Sequence, residues 1–391
     1  MQNNTIQFAT RLRGFFKQLF SSSYLGFHIE TSENSIYEVN SRVHNIKAKL
    51  IRSKLADWLG IIQRIKVIPK SGVNIIGSYN RFIHTELQYF IYIENPTALY
   101  HYTLSRSKSY LGKKHLKKYL NDPNLRGLIF MSKACEKTFD ILVGLPNQGV
   151  IRRQIYPLIK RNTLIDEEYI EKNYHSADIT FLYIAQGIRF DSKGGYEVIE
   201  AFNRLSKIYP RIYLTIVTNI DKLPESVIKY LYQNNNIILQ NFTLSPQQMQ
   251  ELYSKSDILL QPTSDDSFGL TILEALHSGL AIIASELYSI PEIVEDGENG
   301  YLVKPHYWFF NKEDLLPNPN VWNHRKQTIH SGRVSSELIE ELQSKMKILI
   351  EDRQQLIRMK LNSFRKAQLP PFSEEYITTQ WNSFVEEIGK I

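Results

Sequence analysis

The chain has 391 residues, of which 42% are hydrophobic and 22% are charged. This composition excludes a disordered or fibrous chain, and the length exceeds one ordinary hydrophobic core and predicts two domains. Cys135 is the only cysteine, which excludes an intrachain disulfide and a cysteine-based metal site. No apolar run approaches the ~20 residues of a membrane-spanning helix, and no signal-peptide pattern is present, so we expect a protein of the reducing cytoplasm.

The charge is distributed unevenly along the chain. Residues 1–163 contain 25 Lys and Arg against 9 Asp and Glu, a balance of +16, whereas residues 164–391 contain 22 against 31, a balance of −9. Such asymmetry predicts an anionic partner for the first half, either a membrane or a nucleic acid. Because no nucleic-acid-binding motif accompanies the basic residues, we expect an anionic membrane surface.

Residues 6–20 have the pattern of an amphipathic helix. Its apolar face would carry Phe8, Leu12, Phe15, Phe16 and Leu19. The cations away from this face are Arg11, Arg13 and Lys17. The pattern fits a helix lying in a membrane interface and equally a helix packed on its own domain, and the sequence leaves both interpretations open.

Residues 72–77 and 89–93 predict short buried strands, and the second is followed directly by Glu94. Polar groups at the carboxyl end of a strand in an open α/β sheet face the ligand crevice, which makes Glu94 a candidate site residue, with His101 a further candidate. The alternative is that these side chains bond local backbone.

A basic run follows at residues 105–118, containing Arg106, Lys108, Lys113, Lys114, Lys117 and Lys118. Such a run is typical of a solvated helix face, and it also suits an anionic lipid or a lipid diphosphate.

The second half opens with a predicted strand over residues 179–185. A loop with Gly187, Arg189 and Lys193 follows, and then a helix whose apolar face includes Val198 and Phe202. A strand, a loop with two cations and a helix in this order favour a functional role for this loop.

The stretch from Gln261 to Pro305 is the most informative part of the sequence. A polar loop leads into a predicted helix over residues 268–278, apolar around most of its circumference, and Gly279 then provides the left-handed position that ends a helix. Residues 280–284 predict a buried parallel strand. Glu274 is the anomaly, because a carboxylate in an apolar helix needs a partner from the protein or from a ligand. Asp266 stands just before the helix, where it could cap the helix or bind a ligand.

The sequence Asp266-Ser-Phe-Gly-Leu-Thr-Ile-Leu-Glu274-Ala, with Ser278-Gly279, Pro291-Glu292 and Asn299-Gly300 after it, resembles the signature of the family-four retaining glycosyltransferases. The resemblance implies the α/β GT-B fold, two Rossmann-like domains facing a cleft, with a C-terminal helix crossing back to the first domain. It places an acceptor-side domain at 1–163, a nucleotide-sugar-binding domain at 164–366 and the returning helix at 367–391.

The resemblance also implies roles for individual residues. Glu274 would bind the donor ribose, Asp266 the sugar hydroxyls, and Arg189 and Lys193 the diphosphate. Further donor contacts would come from Gly187, Phe268, Gly269 and Leu270, and Glu94 would be the acceptor-side catalytic residue. The chain departs from the family by having Asp at 266 in place of Glu, and Tyr288-Ser289 in place of a glycine pair.

These features predict a retaining transferase that moves a sugar from a nucleoside-diphosphate sugar to a glycan or lipid-linked acceptor in cell-surface polysaccharide synthesis. We expect it in the cytoplasm or at the inner face of the cell membrane. No Asp-x-Asp metal pair is evident, so we expect catalysis without a metal or cofactor, and no nucleic-acid partner. The alternatives are a GT-B sugar-nucleotide epimerase and a non-catalytic GT-B partner subunit.

Overall fold

The computed structural model describes residues 4–10, 12–30, 50–51, 53–146, 149–172 and 176–390. Its contacts divide the chain into two compact units. Unit 1 comprises Met1–Ile159 with Pro370–Ile391, and unit 2 comprises Lys160–Leu369. The boundaries expected from the sequence, after residues 163 and 366, lie close to these.

Unit 1 contains short, mostly buried strands with parallel pairing. They are β1 Thr5–Phe8, β2 His28–Glu30, β3 Arg64–Lys66, β4 Ile75–Tyr79, β5 Phe82–His84, β6 Gln88–Ile93, β7 Leu125–Phe130 and β8 Ile151–Gln154. Within the described ranges, six of them form one sheet in the order β2-β1-β4-β6-β7-β8, and β3 pairs with β5. The strand order reverses between β1 and β4, so the loops after these two strands border the crevice of this sheet.

Helices cover the sheet of unit 1. They are α1 Phe15–Phe20, α2 Lys54–Trp58, α3 Leu104–Lys108, α4 Tyr110–Leu120 and α5 Lys133–Leu142, with a 3-10 helix at Pro96–Tyr100. The α5 helix begins where a cap residue allows it, since the Ser132 side chain accepts from the Cys135 N–H over 3.0 Å. In the part of the chain that the structure describes, no helix has the length and apolar composition required to span a membrane.

The helix predicted over residues 6–20 is wrong in its first half, where β1 occupies residues 5–8. Of the described residues of this segment, 15–20 are helical, and Phe16, Leu19 and Leu12 are buried. Because the apolar face is inside the unit, this segment packs on its own domain and does not lie in a membrane interface. Arg11 lies outside the described residues.

Unit 2 contains a parallel sheet whose strands are β9 Ile179–Ile184, β10 Ile212–Thr218, β11 Ile237–Asn241, β12 Ile258–Gln261, β13 Ala281–Ser285 and β14 Gly300–Val303. Their order is β11-β10-β9-β12-β13-β14. Counted from β9, this is the 3-2-1-4-5-6 order of the Rossmann fold, which places the ligand crevice where the order reverses, between β9 and β12.

The helices of unit 2 are α6 Glu167–Lys172, α7 Gly195–Ser206, α8 Glu225–Leu231, α9 Pro246–Ser254, α10 Leu270–Leu276, α11 Ile290–Ile293, α12 Pro319–Trp322, α13 Ser336–Glu351 and α14 Arg353–Ala367. Residues 336–367 contain two successive helices, α13 and α14. Asp352 parts them because its backbone is extended and its side chain caps α14 by accepting from the Gln355 N–H.

The last helix, α15 Glu374–Gly389, belongs to unit 1. Trp381 stacks on Tyr92 of β6 with ring centroids 5.8 Å apart, and Phe384 packs edge-on against Phe90. Gly127 of β7 permits this approach, since a Cβ at that position would lie 2.4 Å from the Phe384 ring. The chain therefore returns to its first unit, as the fold class predicted from the sequence requires.

Candidate functional site

Two loops of unit 2 meet where the strand order reverses. One follows β9 and runs to Lys193, and the other follows β12 and runs from Pro262 to Gly269. The Ser264 N–H donates to the Ser192 carbonyl over 2.8 Å and joins the loops. At Gly194 the backbone has φ +74°, and an added Cβ would lie 2.5 Å from the Pro262 carbonyl oxygen, so the close approach requires glycine.

Lys193 lies at the centre of this junction and its side chain is buried. Its Nζ donates to the Asp265 carbonyl over 2.9 Å and to Oδ2 of Asp266 over 2.5 Å. Burial lowers the pKa of Lys193, while the charge of Asp266 opposes that shift. Burial also acts to raise the pKa of Asp266, but Lys193 and Arg189 outweigh it and hold that pKa at about 2. Asp266 and Lys193 therefore form a buried ion pair at neutral pH.

Arg189 is the second cation at the junction. Its Nη2 donates to the Asp265 carbonyl over 2.6 Å and to Oδ2 of Asp265 over 2.7 Å, and 36% of its side chain remains exposed. It ends a 3-10 helix, Gly187–Arg189, which is fixed because the Gly187 N–H donates to Oδ1 of Asn219 over 3.0 Å. The structure thus brings together both predicted cations, and it adds Asp265, which sequence analysis missed.

Asp266 also organises the start of α10. Its Oδ1 accepts from the N–H groups of Phe268, over 3.3 Å, and Gly269, over 3.1 Å. Gly269 has φ +90°, a conformation that favours glycine, and Leu270 begins the helix. In this structure the two N–H groups predicted to contact the donor bind Asp266, so donor contacts at Phe268, Gly269 and Leu270 stay predictions.

Glu274 lies on α10 and finds its partner on α9. Its Oε2 accepts from the hydroxyl of the buried Tyr253 over 2.8 Å. Burial raises the pKa of Glu274, and the bond from Tyr253 offsets part of the rise. Among the described residues, no hydrogen bond or ion pair joins Glu274 to Asp266. The helix ends as predicted, with Gly279 at φ +62° and β13 following.

In unit 1, Glu94 stands at the carboxyl end of β6. Both of its carboxylate oxygens accept from Nη2 of Arg13 over 3.3 Å, and it also accepts from the Tyr79 hydroxyl. Arg13 follows β1 and Tyr79 ends β4, so this cluster lies at the strand-order reversal of that sheet. The side chain of Glu94 therefore binds one side chain from the loop after β1 and one from the end of β4, not local backbone, and its catalytic role stays a prediction.

His101 is held inside unit 1 by a hydrogen bond to backbone. It is buried, has φ +57°, and its Nε2 accepts from the Gln63 N–H over 2.9 Å. Gln63 lies 38 residues earlier in the chain, so this bond is to distant and not to local backbone, and a site role for His101 stays a prediction.

The segment after β14 also holds the loops of unit 2, and no sequence signal indicated this. The Tyr307 N–H donates to Oγ of Ser264 over 2.9 Å, and the Gly332 N–H donates to Oδ2 of Asp191 over 2.7 Å. Nδ1 of His306 lies 3.2 Å from Oε1 of the buried Glu197 on α7. Residues 306–332 therefore form hydrogen bonds with both loops and help to fix their positions.

Comparison with known proteins points to one family. Residues 166–310 match the family model described as "Glycosyl transferases group 1". An uncharacterized 41.2 kDa protein in the cps region of Klebsiella pneumoniae is 20% identical over 349 residues, covering 83% of this chain and 92% of that protein. Several other curated relatives match over only 17% to 61% of their own length.

Solved structures share the fold over the whole chain. A glycosyltransferase from Rickettsia africae superposes with a TM-score of 0.63 and 16% identity, covering 100% of both chains. The Anabaena protein HepE, crystallised in complex with UDP and glucose, superposes with a TM-score of 0.57 and 14% identity, covering 98% of this chain and 100% of that one. Both are similar to this chain in fold.

Proposed function

We propose that this chain, whose residues 166–310 match the group 1 glycosyltransferase model and whose fold is shared by solved glycosyltransferases, moves a sugar from a nucleoside-diphosphate donor to a glycan or lipid-linked acceptor, with retention of anomeric configuration. One observation carries the proposal. Two cations, Arg189 and Lys193, meet two carboxylates, Asp265 and Asp266, at the strand-order reversal of unit 2. Ligands of Rossmann folds bind at this point.

The leaving group of the proposed reaction is a nucleoside diphosphate, and its negative charge requires cations at the site. A nucleoside diphosphate gains negative charge as the glycosidic bond breaks, so positive groups fixed in advance lower the barrier. Arg189 and Lys193 are fixed by Asp265 and Asp266 before any ligand arrives. Arg189 keeps 36% of its side chain exposed, which leaves the guanidinium accessible to a diphosphate. In this proposal the two cations do the work of a metal ion.

The carboxylates have different proposed roles because their environments differ. Asp266, with its pKa at about 2, is an ionised acceptor for the hydroxyls of the donor sugar. Glu274, held by Tyr253, accepts from the ribose. Glu94 serves the acceptor. The proposed reaction takes place on one face of the sugar and requires no covalent nucleophile.

The proposed setting is cell-surface polysaccharide synthesis at the inner face of the cell membrane. It is supported by the relative in the Klebsiella cps region, which aligns over 92% of its length. HepE, bound to UDP and glucose in its crystal structure, supports a UDP-sugar as the first donor to test.

A thermal-shift screen of nucleotide sugars tests donor binding. A ligand at ~100 times its dissociation constant adds ~2.7 kcal/mol to the free energy of unfolding, so a true donor raises Tm by several degrees. Nucleoside monophosphates and free sugars serve as controls and should shift Tm less. Arg189→Gln is the matched variant, because its partly exposed side chain can be replaced with little loss of packing. Equal shifts for wild type and Arg189→Gln would contradict a diphosphate site at this position.

A further inference from the structure

Unit 1 has a surface where lysines surround exposed aromatic and aliphatic side chains, and we propose that this surface binds anionic phospholipid membranes. It is formed by α2, the residues just after it, α4 and the end of α3, and we name it the basic aromatic surface. Its apolar members are Leu55, Trp58, Leu59, Ile61 and Tyr110, and its cations are Lys54, Lys108, Lys113, Lys114, Lys117 and Lys118. The inference does not depend on the transferase activity.

The apolar members are unusually exposed for their size. Tyr110 is 78% exposed, Trp58 is 70% exposed and Leu55 is 64% exposed. A group of large apolar side chains facing water, rimmed by polar residues, indicates an interaction site. Trp and Tyr are enriched where headgroups meet acyl chains, because an apolar ring and a polar tip both find partners there.

The positive charges of the basic aromatic surface favour an anionic partner. The exposed side of α4 carries residues at helical spacing, namely Tyr110, Lys113, Lys114, Lys117 and Lys118, whereas Leu116 and Leu120 are buried. Among the described residues of 50–70 and 104–121, Asp57 is the only carboxylate, and it pairs with Arg106 at 2.8 Å. No acidic side chain there repels a negative surface. Lysines beside Trp and Leu match a bilayer, whose phosphates lie next to acyl chains.

Contacts within unit 1 hold the basic aromatic surface in place without a partner. Arg106 is fully buried and binds Asp57, so it anchors α2 and does not contribute to the basic run as the sequence suggested. Nδ1 of His115 lies 2.8 Å from the Gly60 carbonyl oxygen. Gly60 has φ +61°, and an added Cβ would lie 2.2 Å from the Gly112 nitrogen. This backbone contact fixes Trp58, two residues earlier, beside the first turn of α4.

Residues 6–20, for which the sequence left a membrane-interface helix open, do not provide such a contact. The apolar side chains of that segment lie in the core of unit 1, where Phe16 packs against Tyr92 and Trp381. The basic aromatic surface has the exposed apolar side chains that this segment lacks, and it has six lysines where the segment has one.

Co-sedimentation of the full chain with vesicles tests the role of charge. The vesicles contain phosphatidylcholine alone or a 3:1 mixture (~25% anionic lipid) with phosphatidylglycerol. One variant changes Lys113, Lys114, Lys117 and Lys118 to Gln. The control variant changes four exposed lysines of unit 2 to Gln, Lys172, Lys229, Lys304 and Lys347, which alters the net charge equally.

We expect wild type and the control variant to bind anionic vesicles at ~0.1 M salt and the first variant to bind at least ~10-fold less tightly. Each lysine near the surface contributes ~1 kcal/mol, or about fivefold in binding. Binding should fall at ~1 M salt, where the Debye length drops from ~10 Å to ~3 Å. No binding by wild type, or equal losses in both variants, would overturn the proposal. Lysine-dependent pelleting without lipid would instead assign the surface to a second copy of the chain.

Fluorescence quenching by brominated lipid tests insertion of Trp58 itself. Of the other three tryptophans, Trp322 and Trp381 are buried, and the partly buried Trp308 belongs to unit 2, so Trp58 is the tryptophan that this proposal brings into the bilayer. Quenching should occur in wild type and largely disappear in Trp58→Phe, which should still bind anionic vesicles. Unchanged quenching in Trp58→Phe would show that another part of the chain contacts the acyl region and would overturn the assignment of this surface.

Discussion

Nζ of Lys193 lies 2.5 Å from Oδ2 of Asp266 and joins the loop after β9 to the loop after β12. Both side chains are largely removed from water, with 10% and 21% of their side-chain surfaces exposed. Breaking such a pair leaves a buried charge without its partner, which costs on the order of 3–5 kcal/mol, whereas removing both charges can be close to neutral.

The first prediction is that the single variants Lys193→Met and Asp266→Asn each lower the free energy of unfolding by on the order of 3 kcal/mol. The double variant should recover much of this loss but not donor cleavage, since the diphosphate still lacks its cation. Denaturant unfolding and nucleoside diphosphate release measure the two effects. Additive stability losses would show that the ion pair is not coupled, and an active double variant would show that Lys193 has no catalytic role.

The second prediction concerns Glu274→Gln. The glutamine carbonyl can still accept from Tyr253, and burial already disfavours the charged form of Glu274, so stability should be unchanged or slightly higher. Donor cleavage should fall by one to two orders of magnitude, because a charge-assisted bond to ligand is worth ~1.5–3 kcal/mol. Tyr253→Phe is the comparison, and it should retain more activity. Full activity of Glu274→Gln, or an unfolded protein, would refute a ligand-binding role.

The third prediction concerns pH and His277, at the end of α10. Burial lowers the pKa of His277 to about 4 from its usual ~6.5. A depressed folded-state pKa contributes stability that is complete above ~6.5 and is lost as pH falls towards about 4. At about pH 5 the loss should be on the order of 2 kcal/mol. His277→Leu should therefore lose less stability than wild type between about pH 7 and pH 5, as measured by urea unfolding, and equal losses would contradict the buried neutral histidine.

The fourth prediction concerns metal removal. If Arg189 and Lys193 supply the positive charge for the leaving diphosphate, donor cleavage should persist after treatment with EDTA. The measurement compares initial rates before chelation, after chelation and after restoring Mg²⁺ or Mn²⁺. A rate that disappears with EDTA and returns with a divalent ion would contradict the assignment of these cations as the charge donors.

Sequence analysis predicted α10 and β13 well because local rules determine them: the apolar residues repeat through the helix, and Gly279 supplies the left-handed position that ends it. It misread residues 6–8 because Phe8 and Leu12 fit a helical period together with Phe15. The four residues of β1 become a strand only through pairing with β2 and β4. Short apolar runs do not distinguish helix from strand by periodicity alone.

The partners of the site residues were harder to predict for the same reason. Tyr253 and Glu274 are 21 residues apart, and Asp57 and Arg106 are 49 apart, so the packing of separate helices brings them together. Arg189 and Asp265 come from loops on two different strands. The sequence alone could not show which of two adjacent aspartates would bind which cation.

We propose that this chain breaks the bond between a sugar and a nucleoside diphosphate at the strand-order reversal of unit 2. The most direct measurement is ³¹P NMR of the purified full chain with the donor chosen by thermal shift. With no glycan acceptor present, water takes the sugar slowly, and we predict that free nucleoside diphosphate accumulates, with wild type at least ~100-fold faster than Lys193→Ala. An intact donor over many hours, or its conversion to an epimer with the diphosphate still attached, would contradict the proposed transferase.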